Sequence, residues 1–506
     1  MPPSRKLASR SRAPKTSMRS SLRPSSRASA KQRAGRPTGC SLAVLLSACL
    51  LVSCAWAPAS AFADVRKSDI IYGQSMEERG IKATSSPNLG CEYAYVCSAD
   101  GTEYFARDAD APVQIASITK VMTAIVALES SDLEREVTVS QAAATVGESS
   151  ADLKAGDVLT MENALKGLMV PSGNDAAIAI AECLGADFQR ASKDSGETLH
   201  RSDGSAIDND DPASALDAFV AKMNEKAREL GCTDTVFTNP HGLDYGQFAG
   251  DLHSTAREVS KICAYAMRDE RFRALTDIPS VGIPVKRGGE EVTVELETTD
   301  LLLGKYEGAC GIKTGNTELA GPCFAGACNR DGADLYAIVL DSSSDEQRFI
   351  DCKTLFDWVY GNQVDYELAH SPETAQMKVD GQERDVPVVA QVALSGWVDK
   401  TVKATFADPD ETVRIFAPHG NVSQRFEFDE LGGGVSTGQV VGRATFYQDN
   451  EEIAQAELVA CEDVAGPNPL EAIGIWWDKL ARTFSGQPTS AQSVIINETP
   501  LVLEKD

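Results

Sequence analysis

The sequence predicts an α+β protein: a sheet flanked by helices, then a small all-β domain, then a C-terminal amphipathic helix. Three observations carry this. Apolar residues recur at helical spacing through Ser117–Leu128, Met161–Met169 and Leu216–Leu230. From Gly308 to Leu340 the pattern changes to strands. From Val364 to Asp463 short alternating strands are punctuated by Gly and Pro, the mark of a separate β domain. A chain of 506 residues, 42% of them hydrophobic, has material for two or three such cores.

The beginning of the chain differs from the rest. Residues 1–63 hold eleven Lys or Arg and no acidic residue, although the whole chain carries a net charge of -26. A positive segment ending near Arg36 precedes an apolar stretch, Leu42–Trp56, and small residues follow at Ala61 and Ala63. This is the layout of a secretory signal peptide cleaved before Asp64. A lipoprotein signal is the second reading, since Leu51-Val52-Ser53-Cys54 and Leu46-Ser47-Ala48-Cys49 resemble lipoboxes. An uncleaved anchor is the third, but the apolar stretch is short for a span. An exported protein, at or beyond the outer face of the membrane, is expected. The acidic remainder argues against nucleic acid as a partner. Ten of the thirteen cysteines lie beyond the signal. They lack zinc-site spacing and read as buried hydrophobes or structural bridges.

Taken in order, Tyr93–Cys97 and Glu103–Phe105 form a hairpin about Asp100-Gly101. The helix from Ser117 has so little polar surface that it must be buried. The helix Met161–Met169 stops before Pro171, and another begins near Asp175. Gly185–Pro212 is polar and acidic and reads as a surface insertion. Asn329-Arg330-Asp331-Gly332 is a turn between two strands. Ser344 and Gln347 suit a capping box for a helix returning across the sheet. The expected boundaries are 1–63 signal, 64–362 catalytic domain, 363–465 β domain, 466–486 amphipathic helix and 487–506 polar tail.

Three motifs carry chemistry. Ser117-Ile118-Thr119-Lys120 places a hydroxyl and an amine on one side of a helical turn. Serine becomes a nucleophile only when a base takes its proton, and lysine is a base only when burial or nearby cations depress its pKa. Ser172-Gly173-Asn174 offers a hydroxyl and an amide between two helices. Lys313-Thr314-Gly315, on a strand, pairs a cation and a hydroxyl suited to a carboxylate, with a glycine that permits close approach. Each alone has a bland explanation: a helix cap, a turn, an edge-strand lysine. Their joint occurrence in the order S-x-x-K, S-x-N, K-T-G on helix start, loop and strand is far more specific.

The surroundings sharpen this. Ala116–Ala124, Leu168–Ala177, Asn239–Leu243, His253–Ala256 and Gly311–Ala320 resemble the serine-type D-alanyl-D-alanine carboxypeptidases, the low-molecular-mass penicillin-binding proteins. The resemblance covers about Tyr93–Trp358 and implies a penicillin-binding/β-lactamase-like fold. It implies that Ser117 is acylated, Lys120 takes its proton, and Ser172 and Asn174 relay protons and position substrate. Lys313 and Thr314 would receive a terminal carboxylate, with Gly315 beside them. The backbone N–H groups of Ser117 and Asn316 would form the oxyanion hole. The implied substrates are peptidoglycan stem peptides ending in D-Ala-D-Ala, with β-lactams as inhibitors and no metal or cofactor. His241 and His253 match family positions without a catalytic role. Thr298 and Asp300 stand where the resemblance leads one to expect asparagines.

Two further readings complete the sequence. A class A β-lactamase would need Asp in place of Gly173 and a glutamate-bearing deacylation loop, and neither follows Ser172. Leu470, Ile473, Trp477, Leu480 and Phe484 form one apolar helical face. That face suits a membrane surface or, in the alternative, the β domain itself.

Overall fold

The computed structural model describes residues 65–67, 86–379 and 381–502; the signal-peptide segment expected at 1–63 lies outside them. The N-terminal hairpin forms from Cys91–Ser98 and Glu103–Arg107. It joins Ala309–Gly315, Cys323–Arg330 and Ala333–Ser342 in an antiparallel five-stranded sheet. Glu103–Arg107 is one edge, Ala309–Gly315 the other, and Ala333–Ser342 is central.

The central strand shows why both faces must be covered. Tyr336, Ile338 and Leu340 point into the core shared with the N-terminal helices. Leu335, Ala337 and Val339 point the other way, onto Phe349, Cys352, Leu355 and Phe356 of the helix Gln347–Gly361. Side chains alternate faces along a strand, so an apolar run buried on both sides needs two helical layers. The helix Lys120–Ser130 lies within the first layer, with every residue from Lys120 to Leu128 buried.

Several elements differ from the sequence expectation. The S-x-x-K motif starts not on the α-helix but on a 3-10 turn, Ala116–Thr119, with Lys120 the first α-helical residue. The helix Asn174–Ser195 runs well into the segment read as an insertion. Its inner face continues: Leu184 and Gln189 are buried, and Phe188 stacks on Phe219 of the helix Ala215–Glu229 at 6.1 Å. Outward-facing Asp187, Arg190 and Lys193 disguised that face. The expected capping box is half made. Gln347 N–H donates to Ser344 Oγ at 3.1 Å, but the Gln347 side chain donates to Asp351 Oδ1 at 2.8 Å. Asp351 is fully buried and also accepts from Gly90 N–H and Ser342 Oγ, because a buried carboxylate must be satisfied.

Beyond Gly361 six strands, joined at one edge by Val65–Lys67, form a seven-stranded antiparallel sheet. Phe406, Phe426 and Phe446 fill its core, the first and last ring centroids 5.7 Å apart. The tail expected to be merely polar returns to this sheet. Val494–Ile495 pairs with Ala390 and Gln391. Asn497 is fully buried; it donates to the Leu368 carbonyl and to Gln424 Oε1 and accepts from His370 N–H. Between sheet and tail segment stands the helix Pro469–Ser485, opened by a capping box of Asn468 and Glu471 and burying no residue. Among the described residues no helix is long and apolar enough to cross a membrane.

Candidate active site

The 3-10 turn matters because residues three apart eclipse one another in it. Lys120 Nζ therefore lies 2.7 Å from Ser117 Oγ. Ala116 has φ +46° and Ser172 φ +66°, conformations that cost a non-glycine residue about 1–3 kcal/mol and persist only where packing imposes them. At Ala116 the packing is visible. A methyl group on Gly242 would sit 1.9 Å from the Ala116 carbonyl oxygen, and one on Gly315 would sit 3.1 Å from Ser117 N. The loop Asn239–Leu243 and the edge strand Ala309–Gly315 thus clamp the serine between them.

Lys120 is completely buried. Its Nζ donates to Asn174 Oδ1 at 2.7 Å and to the His241 carbonyl at 2.8 Å. Asn174 Nδ2 donates to the Gly147 carbonyl at 3.0 Å, which fixes Oδ1 toward the lysine. A neutral amine has two hydrogens and one lone pair. Two acceptors engage both hydrogens and leave the lone pair facing Ser117 Oγ. Burial drives the Lys120 pKa far below its ordinary value, the Lys313 charge pushes the same way, and Asp175 opposes both. The geometry and the electrostatics both favour an amine able to accept a proton.

Lys313 is also buried, with Nζ donating to the Thr314 carbonyl at 3.1 Å. Burial and then Arg348 lower its pKa to about 7, while Asp300 raises it. Thr314 Oγ1 and Thr299 Oγ1 are 2.6 Å apart. Arg348 Nη1 donates to the Gly315 carbonyl at 2.9 Å, tying the edge strand to the helix behind it. Asn316 Nδ2 donates to Asp345 Oδ1 at 2.9 Å. Ser172 is buried beside Asn174, which opens the helix that follows.

The structure thus joins Ser117, Lys120 and Asn174 directly, and places Gly315 against the serine. It also adds residues that motif reading missed. The His241 carbonyl is a lysine acceptor. Its imidazole is buried, burial lowers its pKa to about 3, and its Nδ1 accepts from Leu243 N–H, so the ring is neutral. Asp175 accepts from Ala151 N–H, Leu153 N–H and Ser150 Oγ, holding the loop that carries Gly147. A lone carboxylate at the head of an apolar helix was its signal in the sequence. Thr299 and Arg348 gave none. His253 lies apart, its Nδ1 2.9 Å from the Asp251 carbonyl. All ten cysteines among the described residues are free. Among the described residues no His, Cys, Asp or Glu cluster is arranged to hold a metal.

A buried serine–lysine pair under a K-T-G edge strand defines a class of serine acyl-transfer enzymes. The model of the peptidase S11 family, described as D-alanyl-D-alanine carboxypeptidase, matches residues 86–189 and 210–344. A D-alanyl-D-alanine carboxypeptidase of Streptomyces sp. (strain K15) is 30% identical over 285 residues, 54% of this chain and 89% of that protein. DacB2 of Mycobacterium tuberculosis is 34% identical over 257 residues, 50% of this chain and 76% of that protein. DacF of Bacillus subtilis is 24% identical over 377 residues, 72% of this chain and 83% of that protein. Among solved structures, the Streptomyces K15 DD-transpeptidase aligns at 29% identity and TM-score 0.47, covering 54% of this chain and 98% of that one. The chain belongs to the D-alanyl-D-alanine carboxypeptidase family. The family match is interrupted at 190–209, within the acidic segment singled out from the sequence.

Proposed function

We propose that this protein is a serine-type D-alanyl-D-alanine carboxypeptidase that removes the terminal D-alanine from peptidoglycan stem peptides through an acyl-enzyme on Ser117. The observation that carries the reading is the 2.7 Å approach of a buried Lys120 amine to Ser117 Oγ, with both other amine partners being acceptors. Lys120 takes the serine proton as Oγ attacks the carbonyl between the last two D-alanines. Ser172 and Asn174 pass that proton to the leaving D-alanine nitrogen. The backbone N–H groups of Ser117 and Asn316 hold the oxyanion. Lys313 and Thr314 take the terminal carboxylate, and the same groups accept that of a β-lactam. Water then hydrolyses the ester.

Ser117→Ala is the test. The folded variant should release no D-alanine from a D-Ala-D-Ala peptide and take no covalent label from fluorescent penicillin. Label retained by that variant would remove Ser117 from the nucleophile role.

The exposed terminal helix supports a second, separate reading: a location at the outer membrane surface. Leu470 is 81% and Phe484 85% exposed, with Ile473, Trp476 and Trp477 each more than half exposed. Apolar groups of this size in one helical face favour the interfacial zone of a bilayer, where indoles are at home. Its only hydrogen bond to the β sheet domain among the described residues runs from Lys479 Nζ to the Ser395 carbonyl. The signal-peptide layout fits the same location.

A further inference from the structure

Asp300 is a carboxylate where the resemblance predicts an amide, and it lies beside the carboxylate-binding lysine. It is buried, at 7% exposure. Its Oδ1 accepts from Leu302 N–H at 2.8 Å, the bond of an Asx turn. Its Oδ2 is buried with no hydrogen-bond partner in the protein. Asparagine would make the same turn bond, so the turn does not explain a charge at this position. Asp300 and Lys313 line one small void of about 10 Å3, together with Thr298, Thr299 and Thr314. That is room for about one water between a cation and an orphaned carboxylate oxygen.

We propose that Asp300 is a positioning residue for the reaction, whose negative charge keeps Lys313 protonated and so able to bind the substrate carboxylate; this rests on the function proposed above. The charges around the pair explain why a partner is required. Lys313 faces Arg348 from the helix Gln347–Gly361, Lys120 from the buried helix, and Asp300 from the loop before Leu301. Asp300 faces Lys313 and Arg348, and the Cys352 thiol lies within its field. Burial and the Arg348 charge both strip the proton from Lys313, and Asp300 is the group that opposes them. Burial in turn raises the Asp300 carboxyl to about 6, offset by backbone donors at Leu302 and Leu303 and by Lys313. Between about pH 6 and about pH 7 Asp300 is charged and Lys313 retains its proton.

The test is the pH profile of kcat/KM with a D-Ala-D-Ala peptide, for wild type and Asp300→Asn. The alkaline limb of the variant should move down by about one pH unit, the size of shift one nearby charge produces. The change should appear in KM and leave kcat unchanged, and an analogue whose terminal carboxylate is amidated should show no such shift. Lys313→Ala is the control for the carboxylate-binding role itself. If it leaves KM for the peptide unchanged, Lys313 does not bind the carboxylate and that assignment fails. If it raises KM while Asp300→Asn moves no limb, the positioning role of Asp300 alone is wrong. Should Asp300→Asn not fold, carbon-13 titration of the wild-type aspartates decides. A carboxyl whose titration moves upward on penicillin acylation supports the proposal, and no carboxyl that responds overturns it.

Discussion

Two helices of this protein are rich in apolar residues and meet opposite fates. Lys120–Ser130 is buried on every side from Lys120 to Leu128. Pro469–Ser485 buries nothing and holds Leu470, Trp477 and Phe484 out from the surface. The first places a polar side chain, Lys120, inside the core, where burial drives its pKa down. The second keeps its polar residues on one flank and its apolar residues on the other. Apolar content is similar in kind, but only the all-round pattern demands enclosure, while a one-sided stripe needs one partner surface.

Changes in the two helices should therefore differ in scale. The largest effect is expected from Lys120→Ala, which removes the proposed base while leaving the proposed carboxylate site. A loss in kcat of about 10^2–10^4-fold, with non-covalent ligand binding largely kept, should appear in single-turnover kinetics. If Lys120→Ala and Lys313→Ala gave the same kinetic pattern, the separation of their roles would not stand. Next comes the packing of the same helix. Met122 is fully buried, so Met122→Ala should cost about 2–5 kcal/mol in denaturant unfolding. A cost below about 1 kcal/mol would show that the helix is not enclosed on every side.

Asp300→Asn should act in the other direction. The folded carboxyl is raised to about 6 from 3.8, so the folded state holds this proton more tightly than the unfolded chain. Below the unfolded value both states are protonated and no penalty exists. Above the folded value the ionised group carries its full cost. Removing it should stabilise the protein by about 2–3 kcal/mol at pH 7.5, with the gain vanishing near pH 4. Melting curves at the two pH values would check this; an equal gain at both would deny that ionisation is the cause. A charge kept at a cost to stability is what a functional position looks like.

The smallest effect on stability belongs to the terminal helix. Trp477→Ser with Phe484→Ser should change unfolding free energy by within about 0.5 kcal/mol, as exposed sites do. The same pair should abolish co-sedimentation with phospholipid vesicles if the helix lies on a membrane. Substitution is the right probe, because deleting everything from Leu470 onward would also remove Asn497 and the strand Val494–Ile495 from the β sheet.

Much of the protein was legible in its residues. The three motifs, the buried helix, the strand-forming run from Gly308 and the amphipathic terminal helix are local patterns, and local spacing fixes which side chains share a face. The failures also have local causes. Polar residues on the outer flank of Asn174–Ser195 hid a buried inner face, and a tail of polar composition concealed a strand that pairs with the β sheet. Asn497 carries that error most plainly, since only its distant partners Leu368 and Gln424 reveal that it is interior.

By itself the sequence determined that a serine and a lysine three residues apart share a turn. It also set the K-T-G residues on a strand. Only the tertiary structure decided that the lysine's pKa is driven down. Asn174 and His241 reach Lys120 from 54 and 121 residues away, and Lys313 sets its charge from another element. A pKa is fixed by the solvent removed and the charges brought near, and both depend on which distant segments pack together.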